Sequence, residues 1–192
     1  MGQTNTKQRD RDRRVRRTRA AIVQSFNGLV LERGFDDVKV PDIVDDADVG
    51  RSTFYEHFRG KDEVLQHAAT EQLRILADVY AKAGDVEEIT GLLVHVRDNR
   101  KAVGEMLAGF AAKAITRTLI DLIEVRLAEA CRVQHEKNSI PIRLAATQAA
   151  GGLLALLREW VSGRANCAPG ELARLIDRSG KSHMAALRLT AV

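Results

Sequence analysis

Residues 40–58 read VPDIVDDADVGRSTFYEHF, two short amphipathic segments joined by a turn at 48–50. The first segment repeats apolar residues at i, i+3, i+4 and i+7, one face of a helix, and Pro41 stands where a first helical turn tolerates proline. In the second segment Phe54 and Phe58 share a face. A helix-turn-helix needs a small apolar cluster between its two helices. The stretch supplies this cluster with Ile43, Val44, Ala47, Val49, Phe54 and Phe58.

The outward side of the second segment carries groups that can hydrogen-bond. With both phenylalanines inward, the outward residues are Arg51, Ser52, Thr53, Tyr55, Glu56 and His57. N-terminal residues of a recognition helix meet base edges, and flanking groups meet phosphate. Arg51 can donate two bonds to guanine, and Ser52 and Thr53 can bond either base type or pack on a thymine methyl. The alternative is an ordinary helix pair inside a bundle.

Basic residues precede this stretch. Residues 1–19 contain eight Lys or Arg against Asp10 and Asp12, a net +6 that leaves −2 for the rest of a chain whose total is +4. Such an arm favours a polyanion, most often nucleic acid, although it could also be a solvated tail that aids solubility. Lys61, at the start of the next helix, is placed for phosphate. The predicted DNA-binding residues are Arg17, Arg19, Arg51, Ser52, Thr53, Tyr55, His57 and Lys61.

Composition and periodicity predict an all-α protein. The 192 residues include three prolines and no apolar window long enough for a membrane span, and the cysteines Cys131 and Cys167 lack a CxxC spacing. We therefore expect a cytoplasmic protein with reduced thiols. The predicted helices cover roughly 12–33, two short helices between 40 and 60, then 61–84, 86–97, 100–111, 114–136, 141–162 and 169–178.

Residues 12–65 resemble the DNA-binding domain of the tetracycline-repressor (TetR) family of bacterial transcriptional regulators. The matching positions are Arg19, Ile22, Gly34-Phe35, Asp42-Ile43, Ala47, Val49, Thr53-Phe54-Tyr55, Phe58 and Lys61-Asp62-Glu63-Val64-Leu65. The resemblance implies a basic flexible arm (1–14), a helix-turn-helix domain (15–60) and a helical effector-binding and dimerisation domain (61–192). It also implies a homodimer on a near-palindromic double-stranded DNA operator, acting as a repressor that a small-molecule effector releases.

The chain departs from the family pattern at several places. Lys39 replaces the usual capping Thr, which predicts a deficit of about 1 kcal/mol at the second helix. Asp48 replaces the turn Gly, which is tolerable because Asp visits the left-handed region more readily than most residues. The second-helix region is also acidic, so we expect the arm to supply more of the affinity than in a typical relative. Its carboxylates are Asp42, Asp45, Asp46 and Asp48.

The sequence of the C-terminal two thirds says less about function than the N-terminal third does. The resemblance implies an effector pocket among the middle helices, and the candidates are Tyr80, His95, Met106 and Phe110, although residues at helical spacing are more often plain core. A dimer interface across a two-fold axis is expected from 142–160 together with 172–176, with burial inside one subunit as the alternative. The expected interface residues are Ile142, Leu144, Ala149, Gly152, Leu153, Leu156, Trp160, Leu172, Leu175 and Ile176.

Catalytic and metal-binding motifs are absent from the sequence, which has no GxSxG, HExxH, Walker or Rossmann fingerprint. The five histidines have no metal-ligand spacing, so we expect neither an enzyme nor a cofactor. Three alternatives remain open. One is a DNA-binding dimer of the same fold without a small-molecule effector, and another is a non-enzymatic helical interaction protein. The third is an enzyme with a helical fold, against which the absence of catalytic motifs counts.

Overall fold

The computed structural model describes residues 3–81, 84–134 and 140–189, and all regular secondary structure in those ranges is helical. The all-α prediction is confirmed. The helices are α1 Gln3–Arg33, α2 Val40–Asp46, α3 Arg51–His57, α4 Lys61–Ala77, α5 Val86–Asp98, α6 Arg100–Ala108, α7 Ala111–Gln134, α8 Ile142–Ser162 and α9 Pro169–Leu189, and a 3-10 turn, Asp78–Tyr80, follows α4. The chain forms two compact units, divided after Ala68, whereas the sequence predicts a boundary after residue 60.

The first unit is built on an apolar core shared by α1, α2 and α3. Ile22 and Phe26 of α1 are buried, as are Ile43, Phe54 and Phe58. The hydroxyl of buried Ser25 donates to the carbonyl of Ile43 at 3.2 Å, which ties α1 to α2. Of the predicted cluster, Ala47 and Val49 are only half-buried. The helix-turn-helix therefore packs on the face that the apolar spacing predicts.

Both turns of this unit use the left-handed backbone region. Gly34 ends α1 with φ +84°, and Asp48 adopts φ +50° between α2 and α3. The expected cap deficit of α2 is partly made up, because the Lys39 N–H donates to the Asp42 carboxylate at 2.8 Å. This bond is the reciprocal half of a capping box and satisfies one of the otherwise unpaired N–H groups at the helix start.

The basic segment differs from its prediction. The sequence predicts a flexible arm over residues 1–14, whereas α1 continues back to Gln3. The stretch from Gln3 to Asn27 contains neither proline nor glycine, and Arg and Lys are good helix formers. The described basic side chains at the start of α1 are exposed, and they are Arg9, Arg13, Arg14, Arg16 and Arg17.

In the second unit, α7 packs on α8, α6 packs on both, and α5 packs on α9. Its core includes Leu119, Ile123 and Leu127 of α7 with Leu154 of α8. The Asp85 side chain caps α5 by accepting the Glu87 N–H at 2.8 Å. The last helix is longer than the predicted 169–178, because apolar and small residues keep the helical spacing beyond that range. Across the described ranges, no helix is long and apolar enough to cross a bilayer.

Candidate nucleic-acid interface

Helix α3 buries one face and exposes the other. Phe54 is fully buried in the core of the first unit, and its ring meets Phe58 at a centroid distance of 6.0 Å. The exposed residues of α3 fall at i, i+1, i+4 and i+5, one side of a helix. We call this set the reading face, and it comprises Arg51, Ser52, Tyr55 and Glu56. It carries a bidentate donor, a hydroxyl, a phenol and a carboxylate, all groups that bond base edges or phosphate.

The short hydroxyl side chains lie at the N-terminal end of α3. A Cβ added at Gly50 would lie 3.6 Å from Thr53 Oγ1 and 3.8 Å from Ser52 Oγ. Thr53 and His57 are half-buried on the flanks of the reading face, so they are less accessible than the sequence predicts for groove-facing residues. Tyr55 is 51% exposed and rests edge-on against Phe54, with ring centroids 5.4 Å apart. This contact leaves most of the Tyr55 side chain in solvent.

Lys61 is the clearest departure from the predicted contacts. Its Nζ donates to three backbone carbonyl oxygens, those of Phe35 at 2.8 Å, Asp36 at 3.2 Å and Val38 at 2.9 Å. A lysine ammonium has three protons, so this geometry leaves none for a phosphate oxygen. The position of Lys61 at the start of α4 suggested an anion contact, but its acceptors belong to the loop between α1 and α2.

The two predicted arginines of α1 have different surroundings. The Arg19 guanidinium lies 5.0 Å from the centroid of the Phe58 ring, a cation–π contact, and its Nε is buried without a hydrogen-bond partner. Arg17 is exposed. Arg19 therefore packs against the core of its own unit, whereas Arg17 is accessible to a polyanion.

The acidic residues of the second-helix region do not share one environment. Asp42 is half-buried and accepts the Lys39 N–H, while Asp45, Asp46 and Asp48 are exposed on α2 and the following turn. Exposed carboxylates repel phosphate. This side of α2 is therefore unfavourable for contact with a polyanion.

The four predicted ligand-binding residues lie in unlike environments. Tyr80 is buried, burial raises its pKa to about 12, and its ring meets His183 edge-on at 5.6 Å. His95 is exposed near the end of α5, where its ring nitrogen contacts the Asn99 amide at 3.3 Å. Met106 is half-buried. This spread does not support the four residues as the lining of one enclosed pocket.

Phe110 is 86% exposed. The sequence predicts it either as pocket lining, from the resemblance, or as plain core, from its helical spacing. However, α6 ends at Ala108 and α7 begins at Ala111, so Phe110 lies in the break between two helices and follows the periodicity of neither.

An open groove of about 490 Å³ lies on the surface of the second unit. At its edge, the Arg143 guanidinium forms ion pairs with the carboxylates of Asp121 and Glu124, with N···O distances of 2.5 Å and 2.6 Å. None of the predicted ligand-binding residues lines this groove, so sequence reasoning missed it. Its lining residues are Ala112, Lys113, Thr116, Arg117, Ile120 and Arg143. Within the described part of the chain, no group of three His, Cys, Asp or Glu could hold a metal ion.

The expected interface residues divide into two sets. Leu144 is 61% exposed, and Gly152 and Leu175 are also exposed, whereas Ile142 and Leu156 are half-buried. Trp160 is buried within its own subunit, and its indole Nε1 donates to the Cys167 carbonyl at 3.1 Å. Its assignment to an interface is therefore wrong, and the alternative of burial inside one subunit holds for it. The same is true of Ala149, Leu153, Leu172 and Ile176.

Residues 28–68 match the sequence model of the family described as bacterial regulatory proteins, tetR family. A curated relative, the uncharacterized HTH-type transcriptional regulator YxbF of Bacillus subtilis (strain 168), is 26% identical over 114 residues, which make up 59% of this chain and 29% of the relative. The chain thus spans less than a third of the length of that relative.

Two solved structures share the fold. A TetR transcriptional regulator from Streptococcus agalactiae 2603V superposes with a TM-score of 0.56 at 21% identity, covering 88% of this chain and 97% of that one. Thermus thermophilus FadR, a TetR family transcriptional repressor solved in complex with lauroyl-CoA, has a TM-score of 0.52 at 18% identity, covering 86% and 94%. Residues 28–68 of the chain therefore match the sequence model of the tetR family of bacterial regulatory proteins, and the two solved structures share the fold of the chain.

Proposed function

We propose that this protein is a transcriptional regulator that binds duplex DNA through the reading face of α3. The observation that carries the proposal is the packing of α3: Phe54 and Phe58 fill the core, which leaves Arg51, Ser52 and Tyr55 exposed on one side. An arginine and a hydroxyl near the N-terminus of a short, firmly packed helix suit base edges in a major groove.

The charge of the first unit supports a nucleic-acid partner. The exposed basic residues of α1 extend from Arg9 to Arg17, and few acidic residues lie among them to offset their charge. Such bases release counterions when they meet phosphate, so they add affinity that does not depend on base sequence. In this account α1 supplies binding strength and α3 supplies sequence preference.

We further propose a homodimer joined through the exposed face of α8. Leu144, Gly151, Gly152 and Ala155 are exposed along that helix, and a Cβ added at either glycine would meet no atom within 4 Å. Small residues allow another helix to approach closely. A two-fold dimer would read a near-palindromic operator with half-sites about 34 to 36 Å apart, or at a multiple of that spacing.

Regulation by a small molecule is the further part of the proposal, with repression released when an effector shifts the dimer toward a non-binding state. Two findings support it. FadR, which shares the fold, was solved with lauroyl-CoA, and the groove on α7 and α8 offers Lys113 and Arg117 beside the apolar Ile120.

A second candidate is the same DNA-binding dimer without an effector. The observation in its favour is that Tyr80 is buried whereas Phe110 is exposed, so two of the predicted pocket residues lie in opposite environments. A thermal-shift screen over diverse small molecules separates the two candidates. A reproducible rise in melting temperature supports an effector, and its absence across the screen supports the second candidate.

The test of the DNA-binding function is a binding selection on a random duplex pool. We expect the wild-type chain to enrich a motif of two inverted half-sites. Enrichment of no motif, with equal binding to every duplex, would contradict the proposal.

A further inference from the structure

Lys61 uses its ammonium group entirely inside its own unit. The three carbonyl oxygens that it contacts, at 2.8 to 3.2 Å, all belong to residues 35–38. The same Nζ lies 4.4 Å from the centroid of the Phe35 ring, which adds a cation–π contact. Charged hydrogen bonds are stronger than neutral ones, so these contacts fix the loop firmly to the first residue of α4.

The loop of residues 34–39 connects α1 to α2. Its side chains Phe35 and Val38 are buried, and Phe35 packs edge-on against Phe26 of α1 at 6.2 Å. Its last residue, Lys39, begins α2 through the bond to Asp42. Because α2 packs on α3, the position of the loop influences the orientation of α3.

We propose that Lys61 is a positioning residue for DNA binding. It holds the loop of residues 34–39 in place and thereby orients the reading face, and it makes no phosphate contact of its own. The proposal rests on the proposed DNA-binding function and deepens it. Charge and position alone would assign Lys61 to a phosphate contact, whereas its hydrogen bonds give it a structural role inside its own unit.

The experiment compares three full-length variants with the wild type. Lys61→Met removes the three donors and keeps the length of the apolar stem. Lys39→Met removes the same charge from an exposed lysine whose side chain makes no cap bond, so it controls for charge. Lys61→Arg restores donors at the same position. The DNA probe is a duplex that the wild type enriches from a random pool.

Two measurements separate positioning from a direct phosphate contact. We expect amide hydrogens across the loop and α2 to exchange about tenfold faster or more in Lys61→Met, since the loop loses charged hydrogen bonds, and Lys61→Arg to restore part of the protection. We expect Lys61→Met to weaken DNA binding while the slope of log K against log salt stays within about 0.3 of the Lys39→Met value.

A phosphate-binding Lys61 gives the opposite pattern. Removing one bound phosphate from each protomer would lower the slope by about 1.8 per dimer while the exchange rates stay at wild-type values, and this result overturns the proposal. Unchanged exchange in Lys61→Met overturns the positioning role even if no duplex is enriched. If the wild type enriches no duplex, the proposed DNA-binding function fails, and faster loop exchange then reduces Lys61 to a purely structural residue.

Discussion

Helices α3 and α8 each bury one face and expose the other, yet the exposed faces differ in chemistry. The reading face of α3 presents Arg51, Ser52 and Tyr55 to solvent, whereas the middle of the α8 face presents Gly151, Gly152 and Ala155. The first offers hydrogen-bonding groups to a polar partner. The second offers almost no side chain, so it suits close approach by another apolar helix. The buried face of each helix determines how the helix packs in the protein, and the exposed face determines which kind of partner the helix can bind.

The largest expected effect comes from a substitution in the buried face of α8. Trp160→Ala should lower the free energy of unfolding by about 3 to 5 kcal/mol, because the substitution removes a buried indole and its bond to the Cys167 carbonyl. Urea denaturation followed by circular dichroism measures the change. Val125→Ala, at a half-exposed position on α7, should cost about 0.5 kcal/mol or less. A Trp160→Ala protein as stable as that control would show that the indole packs weakly in its own subunit.

The next prediction tests the exposed face of α8. A leucine at Gly152 meets no atom of its own subunit, so Gly152→Leu should fold normally. It should raise the dimer dissociation constant about thirtyfold or more, because the new side chain obstructs the partner helix. Sedimentation equilibrium measures the constant. Gly91→Leu on α5, which is equally open, is the matched control. Equal dimer affinity for both variants, or a monomeric wild type at micromolar concentration, would rule out this face.

The helix-turn-helix could be predicted from sequence because its signals are local. Gly34 and Asp48 mark turns that adopt positive φ, and the spacing of Phe54 and Phe58 selects the buried face of α3. These signals involve neighbours within a few residues along the chain. The core of such a unit therefore follows from periodicity.

The errors arise where the partner of a side chain is distant in sequence or where a helix breaks. The Lys61 ammonium donates hydrogen bonds to carbonyl oxygens 23 to 26 residues earlier in the chain, and no local sequence pattern predicts those acceptors. Phe110 falls inside the predicted helix over 100–111, whereas α6 ends at Ala108 and leaves Phe110 between two helices. Trp160 and Gly152 share one helix, yet periodicity alone does not say which side packs against a neighbouring helix and which side stays exposed.

A smaller effect tests how much the start of α1 contributes beside the reading face. Deleting residues 1–14 removes Lys7, Arg9, Arg11, Arg13 and Arg14. DNA binding should weaken, and the slope of log K against log salt should fall by about 0.9 for each phosphate that these residues bind in the intact chain. A salt titration of the truncated chain measures the slope. An unchanged slope, with helix content and melting temperature preserved, would show that this segment binds no phosphate.

The smallest expected effect concerns the turn that presents α3. Asp48 has φ +50°, where a side chain is unfavourable and glycine is not. Asp48→Gly should therefore stabilise the first unit by about 0.5 to 1 kcal/mol, measured by thermal denaturation. Asp46→Gly, in the last turn of α2, should destabilise it by a similar amount. If both substitutions destabilise the first unit, the Asp48 carboxylate stabilises the native turn by more than the positive φ of its backbone costs.

The central claim is that the reading face of α3 reads base sequence while α1 contacts phosphate, and a binding selection with two variants tests it most directly. Arg51→Ala should cost about 1 to 3 kcal/mol on the enriched site and relax preference at one base position per half-site. Arg17→Ala should weaken binding to all duplexes nearly equally and leave the enriched motif unchanged. An Arg51→Ala protein that keeps the full wild-type motif, together with an Arg17→Ala protein that alters it, would contradict the account.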